Sequence, residues 1–164
     1  MNCRASIYMV TIALLLCMFP FLAGNLAAIS MTVTGTWSEN IDVFDLQGGA
    51  GTDLVSTYES ASNACVIDVT GAAKKDWEVY VNRVDTLWDA NLHLYCRRTS
   101  DGIGDGPISG GETYQEITDV GQFLFTSGSL DRTGVEVQYQ LTGVSVLVVP
   151  NTYLTDIYYT VLKY

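Results

Sequence analysis

The chain has 164 residues, 48% of them hydrophobic and 16% charged, with 15 Gly, 3 Pro and 4 Cys. This length suits one domain, and the apolar share excludes disorder as the overall state. Eight basic residues against eighteen acidic ones leave a net charge of −10. That balance excludes an electrostatic nucleic-acid footprint and disfavours anionic lipid surfaces.

Residues 1–28 read as a secretory signal helix. Arg4 supplies the positive start, an apolar run extends from Ile7 to Leu22, and small residues follow around Ala27 and Ala28. Pro20 and Gly24 interrupt the run, which argues against a retained membrane anchor. Cleavage after Ala27 or Ala28 would place a single domain over residues 29–164, secreted or held at the cell surface, with no membrane segment. Arg4 leaves with the signal, so seven basic and eighteen acidic side chains remain, for a net charge of −11.

Period-two alternation dominates the rest. The mature chain would open on a Thr-rich ribbon in which Ile29, Met31, Val33, Gly35 and Trp37 alternate with polar residues. Such a terminal strand can pair in its own sheet or complete a neighbour's, making it a candidate strand-exchange segment. Further strands are expected around Cys65, Ile67 and Val69; around Trp77, Val79 and Val81; around Leu92, Leu94 and Cys96; over Val135–Leu141; and over Ile157–Val161. Gly/Asp/Ser turns about ten residues apart predict an all-β, antiparallel two-sheet sandwich of Ig-like or pilin-like layout with about seven to nine strands.

Only Cys65 and Cys96 survive signal removal. Export favours a disulfide between them, which would remove about 3.5–4 kcal/mol of unfolded-chain entropy; the alternative is two buried thiols.

The loop from Asp101 to Glu112 has acids at positions one, five and twelve (Asp101, Asp105, Glu112) and Gly106 at position six, the rhythm of a calcium loop. Ile103 offers no ligand at position three, and the flanks read as strands, so the competing reading is a solvated connection. His93 is the only histidine, and no nucleophile elbow, zinc motif or phosphate loop is present. A pair of carboxylates of the kind glycosidases use cannot be read from spacing. The expectation is therefore a non-catalytic protein, with a secreted hydrolase the weakest alternative.

Aromatic residues include ten Tyr. Tyr80 and Tyr95 fall on polar strand faces, and Trp88 lies at a turn. Together they form a candidate platform for a glycan or a protein, the second functional alternative being a carbohydrate-binding module.

The chain closes on Pro150, Tyr153, Asp156, Ile157, Val161 and Tyr164: a proline, a turn, Tyr, Asp and an alternating strand ending in an aromatic. Here it resembles secreted β-sandwich surface proteins of the spore-coat-U-like and archaic chaperone–usher pilin types. That resemblance implies a non-catalytic subunit of an extracellular fibre or coat, with one disulfide between early strands, self-association or other surface proteins as partners, and adhesion as a role.

Overall fold

The structure, a computed structural model, describes residues 2–7, 28–128 and 130–164. Most of the expected signal helix lies outside these residues, although the backbone of Asn2–Ile7 pairs as a strand. The body is all-β. The described strands are β1 (Asn2–Ile7), β2 (Ser30–Asn40), β3 (Thr57–Glu59), β4 (Cys65–Thr70), β5 (Trp77–Leu87), β6 (His93–Arg98), β7 (Ile108–Ser109), β8 (Gln115–Glu116), β9 (Gln122–Ser127), β10 (Arg132–Thr142) and β11 (Tyr153–Lys163).

They build two layers. One runs β7–β9–β5–β11–β1–β2; the other runs β2–β4–β10–β6–β8, with β3 also paired to β10. Pairing is antiparallel except between β1 and β11, which are parallel. Alternate residues point inward, as period two requires. Ile67 and Val69 from β4, Trp77, Val79 and Val81 from β5, and Val135, Val137 and Tyr139 from β10 are buried in one core. Trp77 and Phe125 meet edge to face at 6.1 Å. Tyr139 and Tyr159 are both fully buried, and their hydroxyls satisfy each other at 2.9 Å.

The strand β2 belongs to both layers. Ser30–Gly35 pairs with β4, whereas Thr36–Asn40 pairs with β1 in the opposite layer. The change of layer falls at Gly35, which has φ 132°, and a Cβ there would stand 2.1 Å from the Ala64 carbonyl oxygen. Only glycine fits this crossing.

The expected Cys65–Cys96 disulfide is not formed: both side chains are buried free thiols. The register shows why. Cys65 stands opposite Val137 and Cys96 opposite Tyr139, so β10 runs between them. Two strand spacings of about 9–10 Å in all, plus a two-residue offset along β10, separate the Cα atoms, beyond the roughly 7 Å that a disulfide spans. Burial pushes the Cys65 thiol up to about 11 and the Cys96 thiol higher still, where the neighbouring Cys65 adds to the effect.

Two outcomes follow. Gly35→Ala should cost about 2 kcal/mol or more, read as a lower urea midpoint with an unchanged slope. Peptide-level alkylation should leave Cys65 and Cys96 unmodified in the native protein and modify both in denaturant; a Cys65–Cys96 linked peptide would contradict the unpaired geometry.

Candidate functional site

The most distinctive feature lies where β2 has crossed into the second layer. Its Thr36–Asn40 edge and the Tyr153–Ile157 edge of β11 do not pair with each other. One strand fits between them, and β1 occupies the place, with Cys3 opposite both Glu39 and Tyr153 and Ala5 opposite both Trp37 and Thr155. On the other side of β11, Leu154–Ile157 pairs with β5; among the described strands, only β1 pairs with the sides that face the slot.

The walls of this slot are well built. Trp37 lies parallel to the buried Tyr139 ring at 6.4 Å. Thr155 is fully buried and its hydroxyl donates to the Val84 carbonyl at 3.2 Å. Ile157 is buried in the main core, and the Tyr153 hydroxyl donates to the Val149 carbonyl at 2.5 Å. Of the candidate strand-exchange ribbon, only Thr36 and Trp37 reach the slot. Ile29, Met31, Val33 and Trp37 pack against their own core, and the Ser30–Gly35 backbone is bonded to β4.

The predicted aromatic platform does not assemble. Tyr80 lies on the layer holding β5, edge-on to Phe123 at 6.1 Å, with its hydroxyl donating to Glu78 at 2.8 Å. Tyr95 lies on the outer face of the other layer, because its neighbours Leu94 and Cys96 point inward. Trp88 is half-buried at the margin, its Nε1 donating to the Leu92 carbonyl at 2.7 Å and its ring under the Arg83 guanidinium at 4.8 Å.

Two buried arginines organise the acidic loop. Arg98 reaches Asp101 through Nη1, Glu112 through Nη2 at 2.8 Å and the Gly110 carbonyl through Nε at 2.9 Å. Arg132 donates to the backbone carbonyls of Asp101 at 3.0 Å, Asp105 at 3.3 Å and Gly106 at 2.7 Å, and to the Ser127 hydroxyl at 3.1 Å. Asp101 and Glu112 thus meet a guanidinium, Asp105 contributes its backbone carbonyl, and among the described residues no group of three or more His, Cys, Asp or Glu could hold a metal ion. Guanidinium suits this role because its planar fork serves several oxygens at once. Sequence reasoning passed over Arg98, although its register with Leu94 and Cys96 places it on the inward face. His93 makes an exposed 2.7 Å contact with Glu116 and lies apart from these features.

No protein-family model matches the chain, and no curated protein matches it in sequence. Among the described residues, no helix is long and apolar enough to cross a membrane.

Removing both carboxylates with Asp101→Asn and Glu112→Gln strands the buried Arg98 charge. The expected cost is about 2–3 kcal/mol, below the usual figure for a buried pair because the two acids are mostly exposed. Millimolar calcium should leave the wild-type denaturation midpoint unchanged, and a calcium-dependent rise would restore the metal reading.

Proposed function

We propose that this chain is a non-catalytic, secreted or cell-surface β-sandwich subunit of pilin-like layout, with a structural or adhesive role, which associates with other copies by accepting an extended segment. The observation that carries this reading is the one-strand slot between Thr36–Asn40 and Tyr153–Ile157, held by residues that belong to the expected signal. The positive start of a signal stays on the near side of the membrane during export. A domain folding on the far side then has both edges open, each with unpaired backbone groups that favour strand addition.

The register specifies the guest. It runs antiparallel to β2 and parallel to β11, and it carries a small residue where Ala5 stands between Trp37 and Thr155. A net charge of −11 per mature copy opposes association, so salt should promote it by screening.

Sedimentation of the exported protein, with its N-terminus determined by mass spectrometry, tests the proposal. The expected result is a chain starting near Ile29 whose oligomers grow with concentration and salt, and which a peptide of the Asn2–Ile7 sequence suppresses. A processed chain that stays monomeric at every concentration, with or without peptide, would remove strand acceptance.

A further inference from the structure

Beyond the slot, one end of the molecule adds exposed apolar side chains to the rim of a small core cluster that includes Ile41 and Val148. The segment following β2 and the segment preceding β11 face each other across a groove of about 470 Å³, walled by Ile41, Val43, Leu46, Leu54, Val146 and Val148. Beside it, Phe44 is 91% exposed and Leu147 is 85% exposed, with Val149 also in solvent. Exposed apolar side chains gathered beside an apolar groove mark an interaction site more often than scattered single residues do.

These side chains stand on a fixed frame. Asp42 and Asp45 close a capping box around the 3-10 turn Val43–Asp45, with bonds of 2.8 Å to the Asp42 and Phe44 amides. Leu46 bridges Leu54, and the Val55 amide donates to the Asp45 carbonyl at 2.8 Å. Across the groove, the Val146 amide donates to the Asp53 carboxylate at 2.9 Å. The apolar groups are therefore presented with little ordering left to lose on binding.

Charge around the groove has one sign. Asp42 lines it, and the lining holds no Lys or Arg. Asp45 and Asp53 belong to the frame just described. Tyr58 nearby is pushed up to about 12 by burial and by the carboxylates of Asp45, Glu39 and Asp42, which places three acids around one ring. An apolar centre with an acidic margin complements a guest of the opposite pattern and repels anionic surfaces.

We infer that this end docks a partner protein through a cationic amphipathic segment whose apolar side chains fill the groove while its Lys or Arg residues meet Asp42, Asp45 and Asp53. Phe44 and Leu147 are the anchors. The groove adjoins the strand slot, but Phe44 and Leu147 lie outside the slot edges, and the surface would serve adhesion to a different protein.

The test is fluorescence anisotropy of the exported protein with a labelled peptide of leucine and lysine at helical spacing, against the same peptide with glutamate in place of lysine. The lysine peptide should bind, weaken with added salt, and lose about tenfold or more in affinity in Phe44→Ser/Leu147→Ser. Both side chains are exposed, so that variant should keep the wild-type denaturation midpoint. Equal binding of the glutamate peptide, or unchanged binding by the double variant, would overturn the inference. So would retention on phosphatidylcholine vesicles that depends on Phe44, which would assign the surface to lipid, or self-association abolished by the double variant, which would assign it to a second copy. Because the slot is untouched by these substitutions, peptide-suppressible oligomers should persist in the variant whatever the anisotropy shows.

Discussion

Backbone hydrogen bonding in β2 is the constraint from which the other features follow. A strand of eleven residues serves one layer with its first half and the opposite layer with its second, turning at Gly35 because the Ala64 carbonyl leaves no room for a Cβ. Past that turn, the strand has lost β4 and needs another neighbour. On its far side stands β11, one strand too distant to pair. Buried or half-buried backbone groups seek partners, and β1 supplies them to both facing edges; the proposed function rests on those edges opening when the signal is removed.

The interior supports this arrangement by fixing both walls. Trp37 is held on the Tyr139 ring, Tyr139 on the Tyr159 hydroxyl, and Tyr159 lies in the same strand as Thr155 and Ile157. The two sides of the slot are thereby connected through a dry aromatic and hydroxyl network instead of through direct pairing. The far side of the sandwich solves a different problem. Its long Gly-rich loop packs Ile108 on the core but leaves Ile103 in solvent, and it is ordered by the guanidinium groups of Arg98 and Arg132, which gather carbonyls and two exposed carboxylates. Buried charge with this many oxygen partners specifies one loop geometry, although its net contribution to stability is small.

Much of the fold was legible because period two is a direct imprint of a half-buried strand. Residues 65–69, 77–81, 135–141 and 157–161 alternate as expected and are strands in the structure. β3, β7 and β8 are two or three residues long and leave no periodic trace. β9 was hidden by a register shift that buries both Leu124 and Phe125. Alternation also reports which face a residue occupies without reporting which layer it belongs to. Tyr80 and Tyr95 both point outward, yet from different layers, and Cys65 and Cys96 both point inward, yet on either side of β10. At Gly35 the pattern continued without a break, so the crossing that creates the slot was invisible to it. In the acidic loop the spacing was calcium-like, but the charge that meets Asp101 and Glu112 is Arg98, which shares the inward face of β6 with Leu94 and Cys96.

The most direct measurement is hydrogen–deuterium exchange on the exported protein across a range of concentrations. If the slot is filled by a segment of another copy, amides in Thr36–Asn40 and Tyr153–Ile157 gain protection as concentration rises, while those in Cys65–Thr70 and Val135–Leu141 are protected throughout. Protection of both slot edges that is equally strong at the lowest concentration would contradict the account, since it would mean that the subunit closes on itself.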